Sequence, residues 1–218
     1  HTDGMASDVV IPRGHRIKYA RSFEAAGGNL VDVGIVTHHP VEGGSDVVSA
    51  WELDAAIDEE TAAVGYIHQD SNLLSLETVV EVAHDNDVPV IVDAASELPP
   101  RTNLTRFIDA GADLVSISGG KAIRGPQSSG ILAGRKELIQ SAAMQQLSDG
   151  YHEALWNPPE NLIDSSGLPG TPPTGVCRPM KVGKEDIVGL MAALEGYLEE
   201  DEDAVLGEWE ARTERIAA

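Results

Sequence analysis

The chain has 218 residues, with 36 acidic and 15 basic side chains, so its formal charge at neutral pH is −21. This balance argues against nucleic acid as a partner, because phosphate groups would meet a strongly negative surface, and it is typical of proteins adapted to high salt. The single cysteine, Cys177, excludes an internal disulfide bond and a thiolate-rich zinc site.

Short apolar runs alternate with helical patterns over the first 147 residues. The runs typical of strands are 8–12, 29–34, 62–68, 88–93, 113–117 and 129–134. Helical patterns cover 15–26, a segment that begins near Ser49 with the capping-box spacing SAWE, and residues 75–86, 104–110 and 135–147. Strands that alternate with helices predict an α/β fold with a mostly parallel, doubly wound sheet.

The pattern changes after residue 147. Residues 148–180 are rich in Pro, Gly, Ser and Asn and show no period, which predicts a long loop or linker. Residues 181–218 regain a helical pattern, with apolar side chains at Ile187, Leu190, Met191, Leu194 and Leu198. We expect this helix to dock on the preceding large domain, residues 1–147, and to begin a C-terminal small domain.

Several kinds of site and location are disfavoured by the sequence. No apolar stretch reaches the ~20 residues that cross a bilayer, and the first residues lack the basic and apolar regions of a signal peptide, so we expect a cytoplasmic protein. The doublet His38 and His39 lacks a third ligand at useful spacing, so no metal site is predicted. No glycine-rich nucleotide-binding loop of the known kinds follows a strand.

Two ionisable residues stand at the ends of neighbouring predicted strands. Asp93 closes an apolar strand at the edge where open α/β sheets bind ligands, and Lys121 follows the next strand in the glycine-rich run SISGGKAIRGPQSSG. Alone, Asp93 is better explained by capping the next segment, and Lys121 by a position in a solvated loop. Together they match the two needs of pyridoxal 5'-phosphate, a lysine amine for its aldehyde and a carboxylate for its pyridine nitrogen.

The sequence around both residues resembles fold-type I pyridoxal phosphate enzymes, the aminotransferase-like group. Three stretches are similar to its selenocysteine synthase and D-glucosaminate-6-phosphate ammonia-lyase branch: VIPRGHRIKYARSFEAAGGNLVDVG, IVDAASELPP with SGGKAIRGPQSSGILAGRK, and RPMKVGKEDIVGLMAALE. The resemblance implies a pyridoxal phosphate-binding large domain over 1–147. It also implies a phosphate-binding loop upstream of the first strand, which this chain lacks, so we expect the chain to be part of a longer protein.

The resemblance assigns roles to five residues around the cofactor. It makes Lys121 the Schiff-base lysine, and also the general acid and base that moves the substrate's Cα proton. Asp93 becomes the partner of the pyridinium nitrogen, Ala95 the small residue against one ring face, and Ser118 a hydrogen-bond donor to the cofactor phosphate. His15 is implied to stack on the other ring face, with a surface histidine as the alternative.

Further contacts are implied for the substrate and the cofactor phosphate. His68 would touch the cofactor hydroxyl or the substrate, with a structural histidine as the alternative. Contacts to a phosphate or a substrate carboxylate, within one subunit or across a dimer interface, are implied for four polar side chains: Arg124, Gln127, Arg13 and Arg16. Because related enzymes assemble sites between subunits, we expect a homodimer or a larger homo-oligomer.

The activity that the resemblance implies is that of a pyridoxal phosphate-dependent lyase. Its substrate would be an amino acid or a 2-amino sugar acid, which loses its Cα proton and then a β-substituent through Lys121. A selenocysteine synthase-like transferase on seryl-tRNA is the alternative, although the sequence shows no basic stripe with interleaved aromatic residues. A non-catalytic member of the fold is a third possibility, against which the retention of both Asp93 and Lys121 argues.

Overall fold

The computed structural model describes residues 4–39, 43–68, 74–147, 157–164, 166 and 175–217. In chain order, the strands of this part are β1 (Asp8–Pro12), β2 (Asn29–Val33), β3 (Ile35–His39), β4 (Gly43–Val47), β5 (Thr61–Ile67), β6 (Val90–Asp93), β7 (Leu114–Ser118) and β8 (Gly130–Gly134). Six of them form one sheet in the spatial order β2-β1-β5-β6-β7-β8, while β3 and β4 form an antiparallel hairpin. Neighbours run parallel from β2 to β7 and β8 runs antiparallel, which confirms the mostly parallel sheet predicted from the sequence.

Helices connect and flank these strands. The α-helices of the described residues are α1 (Arg21–Ala25), α2 (Ala50–Ala56), α3 (Leu76–Asp85), α4 (Asn103–Asp109), α5 (Lys136–Gln145), α6 (Lys184–Glu199) and α7 (Glu202–Ala217). Short 3-10 helices lie at Arg13–His15, Lys18–Ala20 and Arg178–Met180. Within the described ranges, no helix combines the length and the apolar character needed to cross a membrane.

The sheet is buried on both faces at β1 and β5, whereas in β6 and β7 buried side chains alternate with partly or fully exposed ones. Val64 and Tyr66 of β5, Val90 and Val92 of β6 and Val115 of β7 are all at most 1% exposed. Side chains two positions apart on a strand share a face of the sheet, and the register pairs Val64 with Val90 and Val92 with Val115, so these residues form one fully buried face. Each such side chain contributes about 1.5–3 kcal/mol through burial. The ends of these strands are therefore held in fixed positions relative to one another.

Side-chain caps explain where two of the helices begin. Ser49 and Glu52 form the capping box that the spacing SAWE predicts, with the Ser49 amide donating to Glu52 Oε2 over 2.8 Å. At the start of α3, Ser75 Oγ accepts a hydrogen bond from the Thr78 amide over 3.2 Å. Each cap satisfies an amide that the helix itself leaves unpaired, a contribution of about 1 kcal/mol.

A buried carboxylate anchors the amino-terminal edge of the sheet. Asp113 directly precedes β7, is 2% exposed, and accepts hydrogen bonds from the Val90 amide at 2.7 Å, His84 Nε2 at 2.8 Å and Arg135 at 3.2 Å. Burial by itself would raise the pKa of Asp113, but these partners outweigh burial, so its pKa lies below the ordinary value. One side chain thus joins α3, β6, β7 and the start of α5.

Two parts of the fold differ from the sequence pattern. Residues 15–26 contain the Lys18–Ala20 3-10 helix and the five-residue α1 instead of one helix, because Ile17 has extended backbone angles (φ −79°, ψ 174°) that interrupt it. The pattern also does not predict the β3–β4 hairpin. Its second strand, GGSDV, is rich in glycine and polar residues, which have low strand propensity.

Helix α6 packs on the core through one face. The core contacts come from Leu190, Ala193, Leu194 and Tyr197. The remaining apolar positions of its sequence pattern are about half exposed: Ile187 at 51%, Met191 at 59% and Leu198 at 47%. The loop predicted over 148–180 lies largely outside the described residues, and the C-terminal small domain stays a prediction.

Candidate active site

The carboxyl ends of β5, β6 and β7 meet at one edge of the sheet, where a cleft of about 830 Å³ opens. Ligands of open α/β sheets bind at this edge, because the connections that follow the strands leave a crevice there. Among the predicted site residues, those that line the cleft are His68, Asp93, Ala95, Ser118 and Lys121. The fold therefore brings together side chains that are far apart in the sequence, such as His68 and Lys121, which are 53 positions apart.

Lys121 stands on a short loop between β7 and β8. Its Nζ donates a hydrogen bond to Ser96 Oγ over 2.6 Å. The loop is closed at its base, where the Gly119 amide donates to the Ser129 carbonyl over 3.0 Å. Gly120 lies so close to the returning chain that a Cβ there would meet Gln127 Cα at 2.7 Å. The glycines beside the lysine are thus explained by close backbone packing within the loop.

Asp93 is the last residue of β6 and is partly buried. Its Oδ1 accepts a hydrogen bond from the Ala95 amide over 3.0 Å, which fixes the carboxylate at the cleft. Within the described residues, no hydrogen bond is made by the second oxygen, Oδ2. A carboxylate with one oxygen fixed and one available is suited to accept a hydrogen bond from a protonated ring nitrogen.

His68 follows β5 directly and lies between an acidic and an aromatic partner. Its Nε2 is 3.5 Å from Glu97 Oε2, and its ring centroid is 5.1 Å from that of Phe107 in an edge-to-face arrangement. Its Nδ1 is buried and finds no hydrogen-bond partner among the described residues. Because buried polar atoms are nearly always paired, this nitrogen is a candidate to bond a polar group of a bound ligand.

His15 lies away from the cleft lining. It is 4% exposed, its Nδ1 accepts a hydrogen bond from the Ile67 amide over 3.3 Å, and its ring centroid is 4.7 Å from that of Tyr66. These contacts support the end of β5, next to His68. Stacking of His15 on a cofactor ring therefore stays a prediction.

The four polar side chains predicted to contact a phosphate or a carboxylate do not line the cleft. Arg16 donates to Asp32 over 2.8 Å, and Arg13 lies 3.8 Å from the same carboxylate. The hydrogen bond with Asp32 raises the pKa of Arg16. Arg124 forms an ion pair with Glu200, and Gln127 Nε2 donates to the Gly120 carbonyl over 3.0 Å.

Sequence reasoning missed a set of polar side chains that the cleft contains. They follow Asp93 in the connection to α4 and in α4 itself: Ser96, Glu97, Asn103 and Arg106. Asn103 is 5% exposed, and its Nδ2 donates to the Glu97 carbonyl over 2.6 Å. A signal was available, because the segment after the carboxyl end of a parallel strand commonly carries binding residues.

Arg101 ties the wall of the cleft to the junction between α6 and α7. Its guanidinium donates to the carbonyls of Leu198 at 2.9 Å and Glu200 at 2.6 Å, and its amide donates to Glu202 over 2.6 Å. The guanidinium also lies 5.6 Å from the ring centroid of Tyr197, whose pKa burial and the nearby Glu202 raise. Hydrogen bonds of Arg101 therefore join the segment that lines the cleft to the C-terminal helices α6 and α7.

No group of three or more His, Cys, Asp or Glu side chains could hold a metal ion in the described parts of the chain. His38 and His39 belong to β3, and their side chains fall outside those parts. The expectation that these histidines bind no metal stays a prediction.

The sequence of this chain is similar to those of several known proteins. The model of the SelA family, L-seryl-tRNA selenium transferase, matches residues 2–150. A D-glucosaminate-6-phosphate ammonia lyase of Salmonella typhimurium is 34% identical over 204 residues, which are 90% of this chain and 44% of the relative. A 5'-C-glycyluridine monooxygenase-decarboxylase of a Streptomyces species is 30% identical over 222 residues, 97% of this chain and 45% of the relative. The chain thus spans less than half of these relatives.

Solved structures agree with this assignment. A structure of D-glucosaminate-6-phosphate ammonia-lyase superposes with a TM-score of 0.69 at 32% identity, covering 92% of this chain and 45% of that one. A cysteine desulfurase from Escherichia coli superposes with a TM-score of 0.53 at 16% identity, covering 90% and 47%, which supports the fold alone. The predicted aminotransferase-like fold is confirmed. The chain belongs to the SelA family, within the fold-type I group of pyridoxal phosphate-dependent enzymes.

Proposed function

We propose that this chain forms the cofactor-binding part of a pyridoxal phosphate-dependent lyase that acts on an amino acid or a 2-amino sugar acid. The observation that carries the proposal is that Lys121 and Asp93, from the ends of neighbouring strands, line one cleft. The similarity to ammonia lyases in sequence and in structure supports a lyase. Since the chain covers less than half of those relatives, the activity is proposed for the whole protein.

The residues of the cleft fit the cofactor. Lys121 Nζ would hold the aldehyde carbon, and Asp93 Oδ2 would accept a hydrogen bond from the pyridine nitrogen. Ser118 would donate to the phosphate, and the small Ala95 would leave room for the ring. The unpartnered Nδ1 of His68 would bond the ring hydroxyl or the substrate. When bound, pyridoxal phosphate supplies an electron sink for the negative charge that develops at the substrate's Cα.

Residues of this chain would then transfer the proton of the substrate's Cα. Lys121 Nζ, as the free amine, takes the proton from the substrate's Cα and passes a proton on when the β-substituent leaves. Ser96 Oγ, 2.6 Å from Nζ, limits the positions that the amine can adopt. Asp93 would favour the protonated form of the ring nitrogen by accepting a hydrogen bond from it.

A second candidate is a transferase that acts on seryl-tRNA. The matched family carries that description, and an L-seryl-tRNA(Sec) selenium transferase of Alkaliphilus metalliredigens is 24% identical over 92% of this chain. The formal charge of −21 argues against it, because tRNA binding depends on neutralising phosphate groups with basic side chains. We therefore favour a small-molecule substrate. Retention of both Lys121 and Asp93 argues against a non-catalytic role.

The test uses the full-length protein, expressed in high salt with pyridoxal phosphate. We expect a visible absorption band that borohydride reduction removes, with the reduced cofactor mapped to Lys121 by mass spectrometry. Release of ammonia from D-glucosaminate 6-phosphate would then identify the reaction. Lys121→Ala should abolish the band and the activity, while Lys136→Ala, at an exposed helix position outside the cleft, should change neither. A wild-type protein that never acquires the band would overturn the proposal.

The assembly and the location are also proposed from the family. We infer a homodimer or a larger homo-oligomer, because related sites are built between subunits, and a cytoplasmic protein. Light scattering of the full-length protein in high salt measures the oligomer directly. A monomer that binds the cofactor and turns over substrate would contradict the shared site.

A further inference from the structure

Arg106 differs from the other arginines that surround the candidate site. It lines the cleft and is exposed, yet its guanidinium makes no ion pair or hydrogen bond within the described residues. Its recorded contact is with an aromatic ring, since its Cζ lies 5.8 Å from the ring centroid of Phe107. Within the described residues Arg21 also lacks such a partner, but it does not line the cleft.

Five of the other guanidinium groups are engaged by carboxylates or carbonyls of this chain. Arg13 and Arg16 share Asp32, and Arg135 reaches the buried Asp113. Arg101 and Arg124 are both held at the start of the α6–α7 junction. The charge of Arg106, by contrast, is available to a ligand in the cleft.

The backbone of Arg106 is held firmly although its side chain is exposed. Asn103, one helical turn earlier in α4, is buried and bonded to the Glu97 carbonyl over 2.6 Å. Phe107, the next residue, is 2% exposed, and its ring centroid is 5.1 Å from that of His68. Phe107 therefore contacts His68 and Arg106 alike. A cation on a fixed helix at the cleft wall is well suited to position a ligand.

We propose that Arg106 binds an oxyanion group of the substrate, a carboxylate or a phosphate. The assignment deepens the proposed function, on which it rests, by requiring an anionic substrate. A guanidinium binds such groups through two parallel hydrogen bonds, which fixes the orientation of the ligand as well as its position. A phosphorylated 2-amino sugar acid carries both kinds of group.

A chemical test needs no activity. Phenylglyoxal should modify Arg106, and inorganic phosphate should slow that modification at least about fivefold, as read by peptide mass spectrometry. Acetate, tested in parallel, shows whether a carboxylate also slows the modification of Arg106. Arg21, an exposed arginine of α1 outside the cleft lining, is the internal control and should react at the same rate with or without either anion. Equal rates at Arg106 would overturn the proposal.

A kinetic test follows with the cofactor-loaded protein. Arg106→Gln should raise the KM for D-glucosaminate 6-phosphate roughly 10- to 100-fold, the loss expected when a charge-assisted hydrogen bond is removed, with a smaller effect on kcat. Arg106→Lys should restore part of the loss, and Arg21→Gln should stay within about twofold of wild type. With unphosphorylated D-glucosaminate as substrate, an equal loss indicates the carboxylate, and a smaller loss indicates the phosphate.

The outcomes separate this proposal from the proposed function. Arg106→Gln should load pyridoxal phosphate at Lys121 as the wild type does. A parallel loss of cofactor would make Arg106 a cofactor ligand and overturn the substrate role, as would a KM within twofold of wild type. If the wild type itself binds no cofactor, the proposed function fails, and the phenylglyoxal experiment still decides whether Arg106 binds an oxyanion.

Discussion

Lys121 Nζ and Ser96 Oγ lie 2.6 Å apart, although 25 positions separate the two residues in the sequence. Each residue stands three positions beyond the last residue of its strand, Ser96 after β6 and Lys121 after β7. The hydrogen bond therefore joins equivalent places in two successive connections. It gives the lysine a defined position at the cleft before any ligand binds.

Removal of this hydroxyl should release the amine of Lys121. In Ser96→Ala, we expect the rates of cofactor attachment and of Cα proton transfer to fall roughly 3- to 10-fold, as for the loss of about 1 kcal/mol of hydrogen bonding. Ser96→Thr keeps a hydroxyl and should retain most of the rate. The measurement is the appearance of the visible cofactor band after mixing. Attachment by Ser96→Ala as fast as by wild type would show that the contact does not position the amine.

Arg101 should stabilise the C-terminal helices on the main domain. Arg101→Ala removes two hydrogen bonds to carbonyls at the α6–α7 junction and should lower the free energy of unfolding by about 1–3 kcal/mol. Amide hydrogen exchange in α6 should rise in parallel. Arg212→Ala removes only an exposed helix pair with Glu208 and should cost no more than about 0.5 kcal/mol. Similar losses in both variants would contradict a specific role for Arg101.

Asp113 should make the protein sensitive to acid. Its pKa is lower in the folded state than in the unfolded chain, so its stabilising contribution is present above about pH 4, the ordinary aspartate value, and is lost as the pH falls through the lowered value. Asp113→Asn should destabilise the protein by about 2–4 kcal/mol at neutral pH, because His84 and Arg135 lose a buried charged partner.

Urea unfolding between pH 7 and pH 2.5 measures this contribution. Stability should fall less steeply with acid in Asp113→Asn than in the wild type, and the two curves should converge at the lowest pH. Asp109→Asn, an exposed aspartate at the end of α4, is the matched control and should follow the wild type. Parallel curves for wild type and Asp113→Asn would remove Asp113 as the source of acid sensitivity.

Salt should stabilise the protein if its acidic composition is an adaptation to high salt. The distance over which charges repel shrinks from about 10 Å at 0.1 M to about 3 Å at 1 M salt. We expect Tm to rise by several degrees between dilute buffer and molar KCl, which corresponds to about 1–3 kcal/mol for a chain of this size. A neutral solute of equal osmolality is the control. A Tm that is unchanged or lower in KCl would contradict the halophilic interpretation.

The alternation of apolar strands and helical patterns was enough to predict the sheet, because parallel strands inside a fold leave continuous apolar runs such as 88–92. Asp93 was found because it follows such a run directly, and Lys121 because it lies in the glycine-rich segment after the next run. The β3–β4 hairpin left no apolar run in its second strand, so no periodicity marked it. A helical pattern of apolar residues likewise does not predict the extended backbone at Ile17.

The arginines near the site show that the order of residues along the chain does not predict which side chains line the cleft. Arg124 stands three residues from Lys121, yet the fold pairs it with Glu200 of a distant segment. Arg106 stands 15 positions before Lys121 in the sequence, yet both residues line the cleft. Closeness in the sequence to Lys121 therefore does not decide which arginine lines the cleft, and a ligand contact of Arg124 stays a prediction. The packing of α4 against β7 and, through Phe107, against His68 places Arg106 at the cleft.

The loop that carries Lys121 is closed at its base by the hydrogen bond from Gly119 to Ser129, because β8 returns antiparallel beside β7. A loop with joined ends loses its conformational entropy when the protein folds and not when a ligand binds. Cofactor capture at Lys121 would then be nearly free of an ordering cost. Removing the hydrogen bonds that hold the loop, such as that from Gln127 to the Gly120 carbonyl, would shift part of that cost back onto the binding step.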